Sequence, residues 1–291
     1  MTQSPFFRQV GIIGTGRAAQ ALALGLIAHS AAPPVMWGRS PSNCAAAAQR
    51  VGQCRASSSL TTLMDTCDVI AIAVADDAMP GIVETMAAAG TLAHAPLIFH
   101  VSGSMGSAAL GPLRANGART AAIHPAMTFT GFPEIEVHRM NGACFAVTAE
   151  EPALAVARQI VDALGGVPIE IAEHNRSLYH AALCHAANHL VTLLAGSLRM
   201  LECAGVEDGA RVIASLASAA LDNTMARGFE ALSGPVLRGD ADTIRKHLTA
   251  LEGACPETLP AYRAMVLATL SELGRTDTKP ARSALRRLLD E

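Results

Sequence analysis

The stretch Val10-Gly-Ile-Ile-Gly14-Thr15-Gly16-Arg17-Ala18-Ala19 decides the fold. A short apolar run breaks into Gly14-x-Gly16-x-x-Ala19 and then into an Ala/Leu-rich stretch reaching His29. This is the pattern of a first strand, a phosphate-binding turn and a helix. Gly14 permits the tight turn, Gly16 lets the backbone approach a pyrophosphate, and Ala19 is small enough for close helix–strand packing. The helix expected from about Arg17 to His29 offers its N-terminal N–H groups to phosphates. Thr15, Arg17 and Ala18 complete the turn. Glycine-rich turns are common, so the residues that follow carry the argument.

A site for a bare ribose expects an Asp or Glu about 20 residues after the turn. Here the next apolar segment, Pro34-Val-Met-Trp37, runs into Gly38-Arg39-Ser40, and residues 1–64 contain five Arg and no Asp or Glu. A guanidinium and a hydroxyl stand where the carboxylate would be. They suit a 2′-phosphate, to which Arg39 would contribute about 1.5–3 kcal/mol through a charge-assisted hydrogen bond. The expected cofactor is therefore NADP. The competing reading is a solvated arginine in an ordinary turn.

At 291 residues the chain has room for one large or two modest domains. It is 51% hydrophobic and 16% charged, enough for a sizeable core, and its net charge of −3 argues against nucleic acid as a partner. The longest unbroken apolar stretch, Ala21 to Ala28, is too short to span a bilayer, so no membrane is expected. The N-terminus shows no signal-peptide pattern. Seven Cys lie scattered without a Cys-x-x-Cys pair and read as reduced, mostly buried thiols of a cytoplasmic protein. Lysine occurs only at Lys246 and Lys279.

The first part of the chain alternates strand-like and helix-like segments. Strands are expected at Gln9–Ile13, Val35–Trp37, Asp68–Val74, Pro96–Val101, Thr120–His124, Ala143–Thr148 and Val167–Ile171. Helices are expected at Pro41–Val51, Asp77–Ala89 and Pro152–Leu164. Such alternation implies an α/β fold, a doubly wound, mostly parallel Rossmann sheet with helices on both faces. From Glu173 helical spacing takes over: one long helix from Asn175 to Ala204, then Glu207–Ala226, Asp240–Glu252, Thr258–Leu273 and Ala281–Leu289. Asp240 and Thr258 are candidate N-caps. The expected domains are an NADP-binding Rossmann domain over 1–172 and an all-helical substrate and dimerisation domain over 173–291. A long apolar helix opening such a domain suits a homodimer seam, so a homodimer is expected, although a buried central helix in a monomer explains the same pattern.

Ligands of open α/β sheets sit beyond the C-terminal strand ends. Those ends carry Gly14–Arg17, Gly38–Ser40, Ala75–Asp77, Ser102-Gly103, and His124-Pro125. Ala75 and Asp76 are expected over the adenosine ribose and diphosphate, and Ser102 near the nicotinamide. His124 has the position and the titration range of a proton donor or acceptor, or is a local cap. The long helix carries Tyr179, His180, Cys184, His185, Asn188, His189 and Thr192. Of these, His180, Cys184 and Asn188 follow i, i+4, i+8 spacing on one face. His185-Ala-Ala-Asn-His189 has the histidine spacing of a zincin helix but lacks its glutamate, so no metal is expected. Leu232–Asp240 reads as an interhelical connection capped by Asp240.

Val10–Ala19, His100-Val-Ser-Gly103, His124-Pro125, Leu178-Tyr-His-Ala-Ala182, Asn188-His189 and Ser233–Asp240 together resemble one family. It is the Rossmann-like oxidoreductases with a C-terminal helical domain of unknown function. They are distant relatives of pyrroline-5-carboxylate reductase, ketopantoate reductase and the 6-phosphogluconate dehydrogenase superfamily. The resemblance implies an NADP(H) site and a helical dimerisation domain, and names no substrate. The helix lysine of ketopantoate reductases has no counterpart before Lys246, although Asn188 matches their asparagine. The Ser/Gly-rich C-terminal signature of pyrroline-5-carboxylate reductase is missing. His124-Pro125-Ala-Met is similar to a His-Pro-Met stretch of prephenate dehydrogenases.

The expectation is an NADP(H)-dependent reductase or dehydrogenase. It would move hydride to or from a small carbonyl, hydroxyl or imine substrate in an interdomain cleft. His124 would be the proton donor or acceptor, with His180 and Asn188 orienting the substrate, or His180 would take the acid/base role instead. The alternative is an NADP(H)-binding sensor or partner-binding protein that catalyses nothing.

Overall fold

Strand β1, Val10–Ile13, sends successive side chains to opposite sides, and all four of its residues are buried. Val10 and Ile12 enter one apolar cluster and Ile13 the other. Both faces of the sheet are therefore covered, which is why the strands read as apolar runs rather than as alternating ones. The computed structural model describes residues 6–92, 94–275 and 281–290.

The elements run β1, α1 (Arg17–Leu26), β2 (Val35–Trp37), α2 (Pro41–Val51), β3 (Arg55–Ser57), α3 (Leu60–Thr66), β4 (Val69–Ile72) and α4 (Met79–Ala87). Next come β5 (Leu97–His100), α5 (Gly111–Ala115), β6 (Arg119–Pro125), α6 (Pro133–Met140), β7 (Cys144–Ala149), α7 (Ala153–Ala163) and β8 (Val167–Glu170). The strands form one sheet ordered β3-β2-β1-β4-β5-β6-β7-β8. Every neighbouring pair is parallel except β6 with β7, which is antiparallel. From β1 the chain moves to β2 on one side and later to β4 on the other. The strand order thus reverses between the parallel neighbours β1 and β4 and opens a crevice beyond their C-terminal ends.

Each expected strand is present with its ends within two residues of expectation, and β2 coincides with it. Four elements escape the sequence reading for a common reason. β3 is a three-residue edge strand with an exposed Arg55 and Ala56, and α3, α5 and α6 are at most eight residues long, so none carries an extended periodic apolar signal.

The second part is helical: α8 (Arg176–Cys203), α9 (Gly209–Arg227), α10 (Pro235–Arg238), α11 (Ala241–Ala254), α12 (Leu259–Leu273) and α13 (Ala281–Asp290). Its core is built by α11, α12 and α13 around Ile244, Leu248, Val266, Leu270 and Leu285. Asp240 caps α11 as expected, accepting from Thr243 N at 3.1 Å. Thr258 does not cap α12, because its hydroxyl donates to Cys255 O at 2.8 Å inside the preceding turn. The Leu232–Asp240 connection is itself partly helical, with α10 held between Gly234 and Gly239.

The chain divides into two compact units after Cys184, so the first unit runs into α8, past the expected boundary at 172. Arg176 is the one buried residue of α8, and α9 has none. The helical run Glu173–Cys203 is long and apolar enough to cross a membrane by length and composition. The longest unbroken apolar stretch does not reveal this, since scattered imidazoles and hydroxyls interrupt the run without lowering its average. The thiols also depart from expectation: Cys44, Cys67 and Cys255 are buried, Cys54 and Cys184 half-buried, and Cys144 and Cys203 exposed.

Candidate active site

A cavity of about 580 Å³ opens where β1 and β4 part. Of the expected cofactor residues, Gly14, Thr15, Gly16, Arg39, Ser40 and Ala75 line it. Gly14 is required twice over: its φ is +126°, and a Cβ there would stand 2.2 Å from Ala73 O. Its N–H donates to Trp37 O at 2.8 Å, tying the turn to the end of β2. Gly16 is the N-cap of α1 and has no atom within 4 Å of where a Cβ would sit. No acidic residue occupies the first turn of α1 and no side chain caps it, so its N–H groups face open space. Ser40 caps α2 by accepting from Asn43 N at 3.3 Å. Arg39 is exposed beside it. Asp77, at the end of the expected Ala75–Asp77 segment, lines it too, and so do Trp37 and Asn43, which were not expected there.

Arg17, Ala18, Asp76 and Ser102 do not line this cavity. The Arg17 guanidinium instead donates to Phe129 O at 3.3 Å, joining the phosphate turn to the segment after β6. Asp76 and Ser102 meet each other: the Asp76 carboxylate accepts from Ser102 Oγ at 2.9 Å and from Ser104 Oγ at 3.0 Å.

A second group of polar side chains gathers at the ends of β5 and β6. His124 Nδ1 lies 3.0 Å from Tyr179 Oη, and the two rings meet edge to face. The His180 ring stands 5.9 Å from that of His124, also edge to face. Gly103 makes room for both, since a Cβ there would lie 2.4 Å from His180 Cδ2 and 3.0 Å from His124 Nε2. The i+4 partner of His180, Cys184, approaches its Nε2 to 3.7 Å.

Arg176 anchors this group and is 1% exposed. It donates to Met105 O at 2.9 Å, Ser102 O at 3.1 Å and Ala146 O at 3.3 Å. Its guanidinium carbon lies 5.9 Å from the Tyr179 ring centroid, within cation–π range. One side chain thus fixes the loop after β5, the strand β7 and the first turn of α8. Glu173 adds a second tie, accepting from Ala108 N at 3.3 Å.

Burial, then the Arg176 cation, holds the His124 imidazole down to about 4. The neutral titration range expected for His124 is therefore corrected: at pH 7 it is an uncharged imidazole. Burial also lowers His100, whose two ring nitrogens are both committed. Its Nε2–H donates to Gly106 O at 2.9 Å, and its Nδ1 accepts from Ser102 N at 3.2 Å. Burial raises the Tyr179 phenol, and Arg176 opposes that rise.

Asn188 belongs to the second unit. There His185 and His189 pair with each other, Nδ1 to Nδ1, at 3.1 Å. Among the described residues no three His, Cys, Asp or Glu side chains come together to hold a metal. Sequence reasoning gave no role to Tyr179 and did not single out Arg176. The signal was the i, i+3, i+4 spacing of Arg176, Tyr179 and His180 at a helix start.

Residues 3–125 match the Rossmann-like domain family, and residues 143–269 match the family described as a domain of unknown function, DUF2520. No curated protein matches the chain. Among solved structures, a Thermotoga maritima protein is similar at 21% identity and TM-score 0.67, over 96% of this chain and 100% of its own. The reductive aminase from Aspergillus terreus, solved with NADPH and ethyl-5-oxohexanoate, is similar at 17% identity and TM-score 0.69, over 96% and 99%. The imine reductase from Myxococcus stipitatus, solved with NADP+, is similar at 14% identity and TM-score 0.68, over 97% and 99%. At these identities the likeness is one of fold. The two family matches thus place a Rossmann-like domain over residues 3–125 and a DUF2520 domain over residues 143–269 of the one chain.

Proposed function

We propose that the protein is an NADP(H)-dependent oxidoreductase acting on a small carbonyl, hydroxyl or imine substrate. The observation that carries this reading is the cavity at the β1/β4 crevice, which runs from the bare N-terminus of α1 to Arg39 and Ser40. The open space at Gly16 fits a pyrophosphate, and the guanidinium and hydroxyl fit a 2′-phosphate. The reductive aminase and imine reductase solved with NADPH and NADP+ have the same fold, which supports this choice of cofactor.

NADPH, when bound, supplies the hydride. This chain supplies the proton. Tyr179 Oη is the donor in the reductive direction, because His124 is neutral at pH 7 and has no proton to spare as an acid. His124 Nδ1, bonded to the same phenol oxygen, and the nearby Arg176 cation stabilise the phenolate left behind. His180, packed beside His124, orients the substrate. The test is fluorescence titration with NADPH and NADH, followed by a turnover screen of oxo acids, cyclic imines and hydroxy acids. NADPH is expected to bind more tightly. Arg39→Ala should weaken NADPH about tenfold, about 1.4 kcal/mol, and leave NADH unchanged. Equal affinity for both nucleotides would sink the cofactor assignment. Binding without turnover of any substrate would return the reading to a nucleotide-binding sensor.

The assembly is proposed from α8 and α9. A helix apolar on all sides belongs in an interior, yet Val191 is 69% and Leu216 70% exposed. Between them the two helices carry six Arg, Asp and Glu residues in 47 positions, so water is a poor neighbour for this surface. His180, His185, Asn188 and His189 along α8 make lipid a poor one too. A second copy of this chain, presenting the same pair of helices, is the occupant that fits both constraints.

A further inference from the structure

The helical unit holds a pair of thiols that the reaction above does not use. Cys203 closes α8 and is exposed, while Cys255 follows α11 and is 2% exposed. The two elements are tied together at this corner. Arg199, one turn before Cys203 on α8, reaches Glu257 Oε1 at 3.8 Å. The Cys255 thiol donates to the same Glu257 Oε1 at 3.4 Å. Cys203 stands near enough to Cys255 to raise the affinity of its thiol for its proton. Both are free thiols.

We propose that Cys203 and Cys255 form a reversible disulfide that clasps the C-terminal end of α8 to the corner between α11 and α12. The oxidant is a low-molecular-weight disulfide such as glutathione disulfide. Exposed Cys203, as its thiolate, attacks one sulfur of that disulfide and releases one small thiol. Cys255 then attacks the Cys203 sulfur of the mixed disulfide and releases the second small thiol. The Cys255 proton leaves by way of Glu257 Oε1 to solvent. In sum, two protein thiols lose two electrons and two protons, and one small disulfide becomes two thiols.

The order of events follows from exposure. Cys203 is the residue a small oxidant meets, and Cys255 is the resolving thiol behind it. Burial raises the Cys255 thiol, which slows the second step at neutral pH and lets the Cys203 adduct be trapped early. The closed loop spans α9, α10 and α11, so closure also restricts the unfolded chain.

The experiment treats the full-length protein with excess glutathione disulfide, quenches with an alkylating reagent at timed intervals, and maps the peptides by mass spectrometry. A transient glutathione adduct on Cys203 is expected first. A Cys203–Cys255 crosslinked peptide follows, reversed by dithiothreitol, with a rise in thermal midpoint of about 5 °C. Cys255→Ser should stop at the Cys203 adduct, and Cys203→Ser should give neither product. A stable Cys203 adduct beside a free Cys255 in the wild-type protein would overturn the proposal. So would a Cys203–Cys203 bond between chains. Because the wild-type map decides the question, it stands even if a variant fails to fold.

Discussion

Acidification from about pH 7 to about pH 5 protonates an ordinary histidine but leaves His124 largely neutral. The imidazole is held at about 4 by burial first, then by the Arg176 guanidinium and by His180. In the unfolded chain the same ring returns to about 6.5. The gap from 6.5 to the native value of about 4 corresponds to about 3 kcal/mol of stability at 1.36 kcal/mol per pH unit. The sign follows from which state takes the proton first. As pH falls through 6.5 the unfolded chain binds it and the native state does not. The contribution of His124 is therefore complete above 6.5, is lost as pH falls toward 4, and levels off below that. His100 is lowered in the same direction and adds to the loss. The assay is an NMR titration of the histidine ring protons, with His124→Gln identifying the resonance, paired with urea unfolding at about pH 7 and about pH 5. His124→Gln should flatten the fall in stability between those two pH values. Arg176→Met, by removing the buried cation, should move the His124 midpoint upward. A His124 resonance that titrates near 6.5 would refute the reasoning, and with it the assignment of Tyr179 as the proton donor.

Tyr179→Phe removes the phenol 3.0 Å from His124 Nδ1. On any substrate found by the screen, turnover should fall by about 10²–10⁴-fold with NADPH affinity unchanged. Gly103→Ala places a methyl 2.4 Å from His180 Cδ2. It should cost about 1–3 kcal/mol in chemical denaturation. Gly81→Ala, inside α4 with nothing within 4 Å of the new Cβ, should instead stabilise by about 0.5–1 kcal/mol. Leu216→Glu, at a site 70% exposed in a single chain, should convert a dimer into monomers in sedimentation equilibrium. An unchanged mass would remove α9 from the interface.

The features legible in the sequence are those set by local necessity. Gly14 must be glycine because its φ is positive and Ala73 O crowds it, so the phosphate turn reveals itself within ten residues. The runs at Val10, Val69 and Leu97 are apolar without alternation because clusters lie on both sides of the sheet. The direction of β7 was not legible: an apolar strand reads the same whichever way it pairs. Arg176 was not legible either. Its three carbonyl partners come from Ser102, Met105 and Ala146, at sequence separations of 74, 71 and 30 residues. The shifted titration of His124 needed a buried environment that position at a strand end does not reveal.

The opening turns of α8 have a practical consequence for engineering. Arg176, Tyr179 and His180 are chemically part of the Rossmann unit, although they stand on a helix that looks like the start of the next one. A chimera cut at the boundary expected near residue 172 would carry these three residues off with the transplanted half. The recipient would be left with bare carbonyls at Ser102, Met105 and Ala146, and with a histidine facing whatever side chain the donor helix happened to supply. The seam for exchanging helical halves among related proteins lies inside the helix, after Cys184. A graft made there would pass on a new C-terminal half while leaving Arg176, Tyr179 and His180 in their original setting.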